Sequence, residues 1–195
     1  MKIERYSKFI YTAGKGLIME NTALLIIDVQ VAMFSYENVS LHNEDKVLTN
    51  IKQILETARK VNMPVIFIQH TADEEYTKGS PTWEIYSKIE PTNNEIVIEK
   101  STRDSFHQTN LQTVLQELGV ENLIIVGMQT EFCVDTTCRS ASSKGFNSIL
   151  VKDAHSTFDC EFLTGEQIIN HHNRILDAKV VQLKTTIEII NLIQQ

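Results

Sequence analysis

The chain is poor in the residues that mark special architectures. Of its 195 residues only seven are glycine, three proline, three cysteine and one tryptophan. So little glycine and proline excludes a collagenous, linker-rich or low-complexity chain. Three cysteines, an odd number without regular spacing, do not make a disulfide framework. The step from Cys133 to Cys138 fits neither a zinc knuckle nor a C-x-x-C redox pair. Reduced thiols in a cytoplasmic protein are the simplest expectation. No apolar run approaches the roughly 18 residues that span a bilayer, so no membrane partner is expected. Positive charge is also scarce: 18 Lys and Arg against 25 Asp and Glu give a formal charge of -7. With no basic stripe interleaved with aromatics, nucleic acid is not an expected partner either. The start of the chain lacks a signal-peptide core, because Lys15 interrupts its apolar stretch. Its "GKG" lacks the remaining glycine and the Ser or Thr of a phosphate loop. Regular patterning begins only after Met19. Residues 1–20 are therefore read as an extension without an assigned role, and 21–195 as one domain long enough to bury a sizeable core.

What is present is an alternation of two periodicities. "ALLIID" (Ala23 to Asp28) is a continuous apolar run, as in a strand covered on both faces. Val47, Ile51, Ile54, Leu55, Ala58 and Val61 then recur at helical spacing. "PVIFIQ", "EIVIEK", "NLIIVG", "NSILVKD" and "KVVQL" supply further strands, with helical stripes between them. The one long polar passage runs from His70 to Asn94. Strict strand–helix alternation predicts a parallel sheet of about six strands with helices on both faces, a Rossmann-like three-layer α/β/α sandwich. No G-x-G-x-x-G follows the first strand, so a dinucleotide cofactor is not expected.

In such sheets ligands bind beyond the carboxyl ends of the strands. Strand one ends in Asp28, strand three in Lys100, and Cys133 lies just beyond strand four. Each alone has an ordinary reading: a turn-forming Asp, a solvated Lys, a small buried Cys. Together at one edge they form a nucleophile with a candidate base and a candidate cationic activator. Thr130 is a plausible N-cap, which puts Cys133 at the third helical position. There the helix dipole and Lys100 are expected to lower its pKa. Cys138 falls on the apolar stripe of the same helix and reads as core; Cys160 is undecided.

The stretches "ALLIIDVQ", "EKSTRDSF" and "GMQTEFCVDTTCRSA" resemble, in order, the three motif regions of the isochorismatase-like cysteine hydrolases. The resemblance runs from about Ala23 to the C-terminus. It implies a catalytic triad of Asp28 as base, Lys100 as stabilising cation and Cys133 as nucleophile, passing through an acyl-enzyme. It implies a cis peptide at Met128–Gln129 that aims the Gln129 N–H, with that of Cys133, at the substrate oxyanion, and a homodimer or larger homo-oligomer. Metal-binding nicotinamidases carry an Asp-x-His pair after the second strand. "FIQHTADEEY" has His70 without that Asp, so neither a metal nor any other cofactor is expected and His70 reads as a pocket or loop residue. A retained Cys133 points to hydrolysis of a small amide-, carbamoyl- or imide-type metabolite. The alternatives are isochorismatase proper, releasing pyruvate from isochorismate, and a non-catalytic oligomeric binding or scaffold protein. Gln30, Phe34, Trp83 and His155 are the expected substrate-pocket residues, with Trp83 in a segment able to close the site. "HHN" (His171 to Asn173) reads as surface or oligomer contact.

Overall fold

The computed structural model describes residues 20–195. The expected N-terminal extension, its "GKG" included, lies outside the described residues but for Glu20. Six strands form one sheet: β1 Thr22–Ile27, β2 Val65–His70, β3 Ile96–Lys100, β4 Asn122–Met128, β5 Asn147–Ser156 and β6 Gln182–Lys184. Their order is β3-β2-β1-β4-β5-β6 and every ladder is parallel. The helices are α1 Glu44–Lys60, α2 Leu111–Glu117, α3 Asp135–Ser143, α4 Gly165–Leu176 and α5 Thr186–Ile193. The expected α/β sandwich is the observed one.

Side chains alternate along each strand, so the central strands feed two cores. Leu24, Ile26, Ile124 and Val126 pack with Ile51, Leu55 and Ile189 of α1 and α5. Ala23, Leu25, Ile27, Leu123 and Ile125 pack with Leu111, Leu115, Cys138, Ala141 and Leu176. Cys138 is fully buried there, as its place on the apolar stripe predicted. The helix ends are specified locally. Thr164 with Gln167, and Thr185 with Glu188, form reciprocal capping boxes that start α4 and α5. Val61 departs from its expected stripe because it sits in a C-cap position and turns outward, 44% exposed.

Strand order reverses between β1 and β4, which makes this the switch point of the sheet. Gly127 in β4 pairs with Ile27 there, at φ 132°. A Cβ at Gly127 would lie 2.1 Å from the Ile27 carbonyl oxygen. Only glycine lets the two backbones approach this closely. Beyond it the β4–β5 register shifts between Ile125 and Gly127, and Gly127 ends up beside His155. Gly127→Ala should therefore cost about 3 kcal/mol or more, roughly 10 °C in melting temperature for a domain of this size. Gly79→Ala is the control, since Gly79 also has a positive φ but nothing within 4 Å. It should cost about 1 kcal/mol. Equal losses in thermal melts would remove the close-approach argument.

Candidate active site

β1 ends at Ile27 and the next residue, Asp28, takes a left-handed conformation (φ 50°) that Asp tolerates better than most residues. Its N–H still donates to the Ile68 carbonyl of β2 (3.0 Å), while its side chain turns into the interior, 1% exposed. Lys100, at the end of β3, starts two strands away, about 10 Å at ordinary strand spacing. Its four-carbon stem spans the end of β2, and Nζ donates to Asp28 Oδ2 at 2.6 Å. The same ammonium lies 3.1 Å from the Thr102 carbonyl, 3.2 Å from Cys133 Sγ and 3.4 Å from His70 Nδ1. An ammonium has three protons, so the longest contact, to His70, is the weakest. Asp28 Oδ1 is buried with no partner of hydrogen-bond geometry among the described residues, on a carboxylate whose charge bears directly on the Cys133 thiol.

Cys133 arrives on an unusual turn. The Met128–Gln129 peptide is cis, as the motif implied. Residues Thr130–Val134 then form a wide π-type turn that runs into α3. The Gln129 carbonyl accepts from both Phe132 N–H (3.2 Å) and Val134 N–H (3.1 Å). Gln129, not Thr130, is thus the N-cap, which corrects the expected cap and moves Cys133 from the third to the fourth helical position. Thr130 instead anchors the turn sideways, its hydroxyl meeting Nδ1 of buried His155 at 2.8 Å. Nε2 of that ring lies 3.0 Å from Asn173 Oδ1, and Asn173 Nδ2 donates to the Lys152 carbonyl (3.3 Å). This order assigns the proton of His155 to Nε2 and makes Nδ1 the acceptor from Thr130. Burial pushes the His155 pKa down from 6.5 to about 4; the nearby His172 charge also lowers it, and the Asn173 hydrogen bond opposes. The ring is therefore neutral at pH 7 and tethers the turn to β5 and α4.

Cys133 differs from expectation in its acidity. Burial pushes the thiol up to about 12, the Asp28 charge adds to this, and Lys100 opposes without prevailing. The sequence suggested a lowered pKa because the cation was visible and the burial was not. At rest the arrangement is a thiol beside an ion pair, with a carboxylate placed to accept its proton.

The expected pocket residues fall in several places. Gln30 is fully buried and its amide is consumed by protein partners: Nε2 donates to the carbonyls of His70 (3.0 Å) and Trp83 (2.7 Å), and Oε1 accepts from His70 N–H (2.7 Å). It pins the passage after β2 onto the strand ends. Trp83 belongs to that clasp through its carbonyl, while its indole N–H donates to Thr71 (3.0 Å). Phe34 packs on Tyr86, ring centroids 4.4 Å apart. His155 has both nitrogens engaged by Thr130 and Asn173. Residues not expected in the catalytic cluster also gather here. His70 pairs in register with Lys100, and Tyr76 meets its ring edge-on at 5.4 Å. Burial and the Lys100 charge lower the His70 pKa. Strand-end position, the signal that found Asp28 and Lys100, applies equally to His70. A surface hollow between Thr22, Val61, Pro64, Leu118 and Ile193 lies at the opposite edge of the sheet and holds none of this chemistry.

Comparison with known proteins identifies the family. The isochorismatase domain profile matches residues 22–170. An uncharacterised isochorismatase family protein of Bacillus subtilis, YrdC, is 36% identical over 142 residues, covering 71% of this chain and 75% of that protein. Streptothricin hydrolase of Streptomyces noursei is 34% identical over 140 residues, 70% of this chain and 55% of the hydrolase. A crystal structure of an isochorismatase family protein superposes with a TM-score of 0.82 at 35% identity, covering 86% of this chain and all of that one. The chain belongs to the isochorismatase family, whose members are hydrolases. Among the described residues no helix is long and apolar enough to cross a membrane.

Two outcomes follow from the buried charges. Lys100→Met strands the Asp28 carboxylate and should cost about 3–5 kcal/mol. The Asp28→Asn/Lys100→Met double variant should recover much of that in urea titrations; a double variant no more stable than the single one rejects the charge-pair explanation. His155 has a depressed pKa, so the unfolded chain binds the extra proton between pH 6.5 and 4. Its contribution is complete above pH 6.5 and is lost as pH falls through that window, roughly 3 kcal/mol in all. His155→Gln should flatten the pH dependence of stability there.

Proposed function

We propose that this isochorismatase family member hydrolyses a small amide-, carbamoyl- or imide-type metabolite through a Cys133 acyl-enzyme. The observation that carries this reading is one buried ammonium, Lys100, within 2.6 Å of a carboxylate and 3.2 Å of a thiol at the switch point. Because the thiol is protonated at rest, its proton passes to Asp28 as sulfur attacks the carbonyl carbon. Lys100 holds the carboxylate in place and offsets the negative charge that develops on sulfur. The tetrahedral oxyanion is received by the Gln129 and Cys133 backbone N–H groups. When the C–N bond breaks, the proton on Asp28 goes to the departing nitrogen and a thioester remains. Water then attacks with Asp28 again as base, releasing the acid and restoring the thiol. The route uses no metal or organic cofactor, and its proton inventory closes on Asp28 and water.

A homo-oligomer acting on a small molecule in the cytoplasm is the setting we assign to it. The three unpaired thiols, one of them the exposed Cys160, support a reducing compartment.

Cys133→Ala should lower turnover on a panel of small amides by about a thousandfold or more. Rapid-quench mass spectrometry of the native enzyme should find the acyl group on the Cys133 peptide. Pyruvate release from isochorismate that survives Cys133→Ala would instead support vinyl-ether cleavage. No turnover on either substrate type would support a binding role. With its pKa near 12, Cys133 should alkylate ever faster up to at least pH 10; a plateau near pH 7 contradicts the resting thiol.

A further inference from the structure

Around the Lys100 ammonium the charges balance. Asp28 and Lys100 cancel, Cys133 is a thiol, and His70 is held neutral by burial and by the Lys100 and Arg103 charges. At the rim beside them stands the cation Arg103. It is exposed, and among the described residues it has no carboxylate partner. Its guanidinium lies 5.0 Å from the centroid of the Phe132 ring. Phe132 directly precedes Cys133, and Arg103 follows Lys100 by three residues. The Arg103 charge also reaches the site itself: it acts on His70, whose Nδ1 lies 3.4 Å from Lys100 Nζ.

This arginine is held on both sides. Before it, the Thr102 carbonyl folds back onto Lys100 Nζ at 3.1 Å. After it, Asp104 Oδ2 accepts from Ser140 (2.9 Å), and Ser105 Oγ shares a hydrogen bond with Thr137 Oγ1 (2.8 Å), both partners lying on α3. Asp104 is thereby occupied: Oδ1 accepts from Phe106 N–H and Oδ2 from Ser140. Glu131, the acidic side chain of the nucleophile turn, turns to Thr157, from which Oε1 accepts at 2.8 Å, while its Oε2 is buried with no partner of hydrogen-bond geometry among the described residues. A guanidinium over an aromatic ring keeps its N–H groups available, and they can receive a carboxylate through two parallel hydrogen bonds. Phe132 is itself 42% exposed, so the ring and the guanidinium over it both face solvent.

We propose that Arg103, held over Phe132, is the anion-recognising residue of this site, and that the substrate carries a carboxylate close to the carbonyl that is attacked. This rests on Cys133 as the attacking group and narrows the substrate from any small amide to an anionic one. Arg103 binds and orients the substrate and takes no part in proton transfer. Its removal should therefore raise KM for charged substrates and leave kcat largely intact.

Two alkylating agents that differ in charge test the proposal without knowledge of the substrate. Iodoacetate and iodoacetamide are reacted with the full-length protein, and each cysteine is followed by peptide mass spectrometry. The exposed Cys160 serves as internal reference. The iodoacetate-to-iodoacetamide rate ratio at Cys133 should exceed that at Cys160 by about tenfold, the worth of one charge-assisted contact. It should fall to the Cys160 value in Arg103→Gln and lie between the two in Arg103→Lys. A ratio no higher than that of Cys160, or one that Arg103→Gln leaves unchanged, overturns the proposal. If the buried Cys133 takes neither reagent, binding decides. In Cys133→Ala, succinamate but not succinamide should raise the melting temperature, and adding Arg103→Gln should abolish the rise. Equal shifts, or none, overturn anion recognition.

Discussion

The contact between Lys100 and Asp28 is the constraint around which the site is organised. It joins the ends of two strands that are not neighbours, across the end of a third. Both charges are withdrawn from water, which is costly unless each satisfies the other. The pair is therefore weak evidence for stability but a strict condition on geometry: either partner alone would be an uncompensated charge in a dry interior. That condition brings the ends of β1 and β3 and the turn after β4 to one point, where His70, Thr102 and Cys133 complete the shell around the ammonium.

A buried ion pair beside a buried thiol has a chemical consequence. A solvated cysteine beside a lysine would be expected to ionise early; this one does not, because burial and the adjacent carboxylate outweigh the cation. On the proposed route reactivity resides in the pair of thiol and base: ionisation waits until sulfur attacks, and proton movement is coupled to bond formation. The surrounding framework serves the same end. Gly127 allows β4 to approach β1, the irregular β4–β5 register seats His155 under the turn, and Gln30 clasps the passage after β2 to the strand ends.

Much of this was legible in the residues. Continuous apolar runs named the buried strands, helical stripes named the faces of α1 and α3, and strand-end position found Asp28 and Lys100 and marks His70 equally. The pocket assignments were less legible. Gln30 and His155 are polar residues near strand ends, the pattern that also signals a binding residue. Yet their partners lie 40, 53, 25 and 18 residues away, and no local pattern announces them. The N-cap shows the same limit: Thr130 is a good cap by type, but its hydroxyl is taken by a histidine from another strand.

The alternation of elements, the class of the fold and the gathering of Asp28, Lys100 and Cys133 at one sheet edge could be read along the linear chain, because they depend on periodicity and on what terminates each strand. How those side chains behave belongs to the folded molecule. Burial, which the linear chain does not display, keeps Cys133 protonated and His155 neutral. Strand order, set by crossovers between distant segments, places one ammonium between a carboxylate and a thiol. Electrostatic energies depend on distance and on the surrounding dielectric, and both are properties of the folded chain.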